Sequence, residues 1–305
     1  MIKAELKWGI YFLKVPKRIH MRVLTRLLFY GIILFIGMVS YSFSATITPA
    51  SFCIEKFDIG QNTDLGIDFV ISDVQNIGPI NLKSKEVPHD RILKGYQPIP
   101  DPSWFYFLTS QIVPDKNGFA KARMFLRVPK EEQYYNQHWM VAVTANPPRV
   151  GMFSLALTGF YMIETTSKTN IKTKPYGLLG LVPSRLTINQ MIPEKIKHAS
   201  FKIYNNDQIL HTYQLSVHTF GVSLYKALRI SQAPGYEWIK QSNWIKPRDN
   251  KVIVKSGEVK EVLLDIQIPK GVSYSDEGWE GILMVTSTES NGPSGFIRIL
   301  ISINS

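Results

Sequence analysis

Residues 120–139, AKARMFLRVPKEEQYYNQHW, and residues 260–279, KEVLLDIQIPKGVSYSDEGW, decide the fold, because they are one module written twice. In the first, Ala122, Met124, Leu126 and Val128 alternate with Lys121, Arg123 and Arg127. In the second, Val262, Leu264, Ile266 and Ile268 stand at the same four places, shifted by 140, and alternate with Glu261, Asp265 and Gln267. A period of two marks a strand with one buried face, and a slip of one residue would turn all four apolar side chains to solvent. Each strand follows a glycine turn, Asn117-Gly118 or Ser256-Gly257, and stops at Pro129-Lys130 or Pro269-Lys270.

The same shift holds further out. Between 95 and 139 it brings eight identities into line without a gap: Gly95/Gly235, Tyr96/Tyr236, Ile99/Ile239, Trp104/Trp244, Pro129/Pro269, Lys130/Lys270, Tyr134/Tyr274 and Trp139/Trp279. Chance would give roughly two or three at ordinary residue frequencies. After the shared tryptophans, Trp139 to Thr144 and Gly281 to Thr286 read as strands. They turn at Asn146-Pro147-Pro148 and Asn291-Gly292-Pro293 and are followed by closing strands, Met152 to Ile163 and Phe296 to Ile303, in antiparallel pairing. Leu65, Ile67, Phe69 and Ile71 alternate as a half-buried strand, as do Tyr213, Leu215 and Val217. About seven short strands per copy, with frequent turn signals and no sustained helical period, predict an all-β chain of two tandem immunoglobulin-like β-sandwich domains after a signal peptide, with a small barrel as the other candidate. The expected boundaries are a leader over 1–45, a first sandwich over 46–165, an exposed linker over 166–183 and a second sandwich over 184–305.

The leader carries Lys14, Lys17, Arg18, Arg22 and Arg26, then a 13-residue apolar run from Leu27 to Val39, then Ser42-Phe43-Ser44-Ala45 as a cleavage site. A membrane-spanning helix needs about 20 apolar residues, so cleavage is expected rather than a retained anchor. Met21 offers an alternative start. The chain's net charge of +11 comes from 35 basic and 24 acidic residues. Seven of the former and one of the latter lie in 1–45, which leaves 28 against 23, or +5, and removes the main argument for nucleic-acid binding. With one cysteine, Cys53, no intrachain disulfide is possible. The expected place is the bacterial periplasm or the cell exterior, with the membrane involved only through the export signal.

Catalytic signatures such as G-x-S-x-G, H-E-x-x-H or a phosphate-binding glycine loop are absent, and no enzyme activity, cofactor or metal is expected. His211 and His218, an odd number of residues apart in a strand, would not converge on a metal. Glu131-Glu132 and Asp276-Glu277 read as solvated loop charges, and Lys168, Lys172, Lys174 and Arg185 as a solvated basic linker. Trp139 and Trp279 are expected in the cores. Trp104 and Trp244 are expected to pack as well, though a platform for a sugar or peptide is the other possibility. Tyr106, Phe107, Tyr135 and Trp238 have no aromatic counterpart in the other copy, and a divergent function would sit there, so these four are the candidate binding residues.

Ile268-Pro269-Lys270 through Gly278-Trp279-Glu280-Gly281-Ile282-Leu283-Met284-Val285 resembles a phrase of bacterial envelope domains of immunoglobulin-like fold, in which a strand ends at proline and a Gly-aromatic-x-Gly segment opens the next. The WxL-interacting surface proteins and the periplasmic pilus chaperones carry two such domains in tandem. The resemblance implies an envelope sandwich. The chaperone family also places an arginine in its first strand, where Phe52 to Phe57 offers only Lys56, and the membrane anchor usual in the WxL-interacting proteins is not found. The expected role is a secreted, non-catalytic cell-envelope binding or assembly protein that contacts another envelope protein or surface subunit. The alternatives are a periplasmic chaperone for surface or pilus subunits and a carbohydrate-active or carbohydrate-binding protein with a glycan partner.

Overall fold

The computed structural model describes residues 45–75, 78–148, 156–219, 229–272 and 278–303. Residues 1–44 of the leader therefore lie outside the described residues, as do Met152, Tyr274 and the Asp276-Glu277 pair.

Ten strands build the first sandwich: β1 (Thr46–Thr48), β2 (Ser51–Phe57), β3 (Asn62–Ser72), β4 (Ile80–Lys85), β5 (Gln97–Pro98), β6 (Phe105–Phe107), β7 (Gln111–Ile112), β8 (Ala120–Arg127), β9 (His138–Asn146) and β10 (Leu157–Thr165). Ten more build the second: β11 (Leu179–Val182), β12 (Arg185–Ile188), β13 (Lys197–Asn205), β14 (His211–His218), β15 (Glu237–Trp238), β16 (Ile245–Pro247), β17 (Lys251–Val254), β18 (Val259–Ile266), β19 (Trp279–Ser287) and β20 (Ser294–Ile301). The smaller sheets run β1-β3-β8-β6 and β11-β13-β18-β16. The larger run β2-β10-β9-β4-β7, with β5 on β9, and β12-β20-β19-β14-β17, with β15 on β19. The two topologies are the same strand for strand, and the register repeats too. Phe105 pairs Leu126 as Ile245 pairs Ile266, and Gln97 pairs Trp139 as Glu237 pairs Trp279. Each unit thus has more strands than the seven expected, because short edge pieces such as β5, β7 and β15 leave no pattern of their own in the sequence.

The alternating residues of the repeat do point inward: Ala122, Met124, Leu126 and Val128 line one core, and Val262, Leu264, Ile266 and Ile268 the other. Gly118 and Gly257 open these strands at φ +78° and +72°, a conformation that L side chains avoid. Trp139 and Trp279 are fully buried. In β3 the expected alternation breaks. The register slips between Asp64 and Asp68, Gly66 takes φ +73°, and Ile67 comes to the surface while Phe69 and Ile71 stay inside. From Asp64 to Asp68 the strand advances four residues against two in its partner, Phe125 to Arg123, so two extra residues bulge out around Gly66 and the inward parity resumes at Phe69.

The stretch 166–183, expected to be an exposed linker, is fastened down and ends in a strand. Leu179–Val182 is β11, antiparallel to β13 with Leu181 and Val182 buried, so these residues belong to the second sandwich. Buried Asn136 holds both ends of the connection. Its Oδ1 accepts the backbone N–H groups of Lys168 (2.9 Å) and Ser184 (3.0 Å), and its Nδ2 donates to the Lys168 carbonyl (2.8 Å). Glu132, expected to be a solvated charge, accepts from the backbone of Lys172 and Thr173 and pairs with Lys168 at 2.8 Å. The basic stretch is accordingly no patch: Lys168 is tied to Glu132, and Arg185 turns inward.

A third apolar cluster joins the sandwiches. Met140 and Ala142 of β9, Met162 of β10, Ile282 and Met284 of β19 and Phe296 of β20 pack with Tyr96 and Val87. The two larger sheets therefore bury both faces. Their central strands read as continuous apolar runs for that reason, as strands covered on both sides do.

Candidate functional site

Within that apolar contact lies a cluster of charges centred on Arg298, in the middle of β20 and fully buried. Its Nε and Nη2 donate to the two oxygens of Glu164 of the first sandwich, both at 2.7 Å. Nη1 donates to Glu280 (2.6 Å) and to the Ser231 carbonyl (2.9 Å), and Nη2 lies 3.2 Å from Glu55. Arg185 adds contacts to Glu55 (3.3 Å) and Glu164 (3.5 Å). The backbone N–H of Ala233 donates to Glu280 (2.7 Å), the Tyr96 hydroxyl donates to Glu164 (3.4 Å), and the Cys53 thiol lies 3.6 Å from Glu164. Planar fork-to-fork pairing of this kind suits arginine and not lysine.

Burial alone would push the Glu164 carboxyl up, but the Arg298 guanidinium outweighs it and holds the group at about 2. Glu280 goes the other way, since burial raises it and Arg298 compensates only in part. His138, stacked on Phe296 with ring centroids 3.9 Å apart, is held at about 4 by burial and is neutral. Burial likewise raises the Cys53 thiol and the Tyr96 hydroxyl.

Beside the cluster opens a cleft of about 610 Å³ between the sandwiches. Lys94, Gln97, His138 and Tyr176 line it from the first side, and Leu179 and Ser294 from the second. The Gly95-Tyr96 turn of the repeat forms part of its wall. Gly95 has φ +91°, its N–H donates to Ser294 Oγ at 3.0 Å, and a β-carbon there would stand 2.7 Å from the Phe296 ring. Gly235 shares the positive φ, at +82°, with open space around it. The turn therefore needs glycine in both copies, but only Gly95 is also a docking point.

The four candidate residues do not converge on this cleft. Tyr106 is half-buried on β6, its ring stacked on Phe125 (5.5 Å between centroids) and its hydroxyl donating to Asn62 Oδ1 at 2.6 Å. Phe107 packs edge-on against Phe69 and Phe105 at the margin of the first core. Tyr135 packs on the same core, with Lys168 Nζ 5.1 Å over its ring. Trp238, on β15, packs against the apolar cluster between the sandwiches. Of the four, Tyr106 lines a second pocket, of about 500 Å³, with Asp101, Ser103, Trp104, Arg127 and Pro129. Trp244, the counterpart of Trp104, is buried against Trp279.

The histidines are spread. His211 is buried, with Nε2 2.9 Å from Asp207 and Nδ1 3.0 Å from Ser287 Oγ. Ser287 in turn donates to Glu289, which also accepts the Thr212 N–H. That set ties the turn between β19 and β20 to the start of β14. His218 meets Ser216 at the far end of β14, and His198 meets Asp265.

Sequence reasoning missed the Arg298 cluster. Its signal was present: an arginine inside the run Phe296-Ile297-Arg298-Ile299-Leu300-Ile301, where a strand covered on one face only would show polar residues at every second place.

No family model matches the chain, and no curated protein does. Among solved structures, a protein of unknown function from Porphyromonas gingivalis W83 is 11% identical, over 84% of this chain and 98% of that one, with a TM-score of 0.31. The periplasmic chaperone SfaE is 7% identical over 85% and 100%, with a TM-score of 0.28. A putative carbohydrate binding protein from Bacteroides ovatus is 11% identical over 40% and 35%, with a TM-score of 0.29. A periplasmic chaperone is thus among the likenesses, as in the resemblance carried by the sequence, but overlaps this loose say nothing about what the chain binds.

Proposed function

We propose that this chain is an exported, non-catalytic binding or assembly protein of the cell envelope, and that it receives another envelope protein in the cleft between its sandwiches. The observation that carries the reading is the Arg298 cluster, which holds the two walls of the cleft in one geometry before any partner arrives. A preformed cleft spares the partner the cost of ordering it. The apolar core and basic front of residues 1 to 45 support export. The chaperone alternative has less support, because the lone basic residue of β2, Lys56, is exposed and lines no part of the cleft.

A photoreactive side chain placed at Leu178, which is exposed and borders the cleft, tests this against one at Ile253, exposed on β17. In envelope extract from the producing cell, the same protein should be trapped from Leu178 and not from Ile253. Equal trapping from both positions, or none from Leu178, overturns the proposal.

A further inference from the structure

The pocket at the margin of the first smaller sheet has the makings of a ligand site that its twin in the second sandwich has lost. Its floor is built on the core. Trp104 packs edge-on against Tyr134 at 5.0 Å and lies 5.8 Å from Trp139, and it remains half exposed toward the pocket. Tyr106 is fixed at both ends, by the Phe125 stack and the Asn62 hydrogen bond, so neither aromatic has rotamer freedom left to lose on binding.

The polar members stand ready in the same way. Asp101 caps the turn Pro102–Trp104 by accepting the Ser103 N–H at 2.8 Å, which fixes its carboxylate at the rim. Arg127 is exposed and, among the described residues, has no ion pair. Arg123, four residues earlier on the same face of β8, is held by Asp64 at 2.6 Å and by Asp68 at 3.3 Å. One guanidinium on this face is thus neutralised, and the one beside the pocket is left able to donate.

At the 140-residue shift, the core half of the site is kept, as Trp244 and Pro269. The half that faces outward is replaced: Asp101 by Gln241, Ser103 by Asn243, Tyr106 by Lys246 and Arg127 by Gln267. Trp244 is 2% exposed there. A purely structural feature would be expected to persist in both copies, as Trp139 and Trp279 do.

We propose that this pocket is a saccharide subsite that takes one pyranose ring of a glycan chain. Two fixed aromatic walls suit the C–H face of a sugar. A carboxylate and a guanidinium on the same rim suit its vicinal hydroxyls, which can donate to the one and accept from the other. A purely apolar ligand would strip water from Asp101 and Arg127 without return, and a phosphate would meet the Asp101 carboxylate. At about 500 Å³ the pocket falls within the roughly 300–1,000 Å³ of small-molecule sites.

The test is titration of the purified protein with mannopentaose, chitotetraose, maltopentaose, xylopentaose and trigalacturonate, followed by calorimetry. At least one should bind. Its affinity should fall about tenfold or more in Tyr106→Ala and in Arg127→Ala, and should hold in Lys246→Ala, the counterpart change in the second sandwich. Arg127→Ala alters only an exposed side chain, so its loss of binding cannot be laid to unfolding. No binding by any of the five at millimolar concentration, or binding that survives both Tyr106→Ala and Arg127→Ala, overturns the proposal. The pocket shares no lining residue with the interdomain cleft, so trapping from Leu178 stands or falls separately.

Discussion

Single residues here carry two kinds of constraint, and the paired copies separate them. Gly95 and Gly235 both need a positive φ, so alanine at either should cost about 1–2 kcal/mol. Gly95→Ala must in addition displace the Phe296 ring, and its denaturant midpoint should fall clearly below that of Gly235→Ala. His138 offers a titration. Its folded value, about 4, lies below the ordinary value near 6.5, so the unfolded chain takes up the proton first. Its contribution is full above about pH 6.5 and is lost as the pH falls toward 4, a matter of about 3 kcal/mol. The His138→Phe protein, which keeps the stack on Phe296, should lose that slope in a stability-against-pH series. The fall belonging to Glu164, between about pH 4.5 and 2, should remain.

At the scale of elements, much was legible in the sequence. β8 and β18 could be placed with their buried faces from alternation alone, because each has one wet side. The hairpins β9–β10 and β19–β20 were legible as antiparallel pairs. Their outer faces were not, because an apolar run does not say which of two partners covers each side. The bulge at Gly66 was equally silent, since its sequence continues the alternation that its backbone interrupts. Divergence between the copies singles out Tyr106, but equally Phe107 and Tyr135, which serve the first core. The opening of β19 shows how much one short phrase carries. Gly278 has φ +129°, with Ile301 O 2.5 Å from where a β-carbon would stand; Trp279 fills the core; Glu280 meets Arg298; and Gly281 leaves room for Ile239 and Ile245. Truncation of Trp279 or Trp139 to alanine should each cost about 3–5 kcal/mol, measured by denaturant unfolding.

For the molecule as a whole, the charges between the sandwiches bear on cooperativity. Removing one member of a buried ion pair strands the others, at about 3–5 kcal/mol. Arg298→Ala leaves Glu280 without its cation and Glu164 with only the 3.5 Å contact to Arg185. Scanning calorimetry should show one transition for the unaltered protein and two for Arg298→Ala, since each sandwich keeps its own core. The repeat announced two domains, and nothing in its identities announced that they would melt together. The residues responsible, Glu55, Glu164, Arg185, Glu280 and Arg298, stand where the copies share no sequence.

Cys53 turns that junction into something that can be timed. The chain has one thiol, and it lies against Glu164 with its ionisation suppressed by burial. Cys53 is half-buried, so a thiolate-specific reagent is held back chiefly by the suppressed ionisation, and its labelling rate at fixed pH reports how closely the seam shields the thiol. The half-time should be long in the unaltered protein and shorten in Arg298→Ala, where a loosened seam admits water to the thiol.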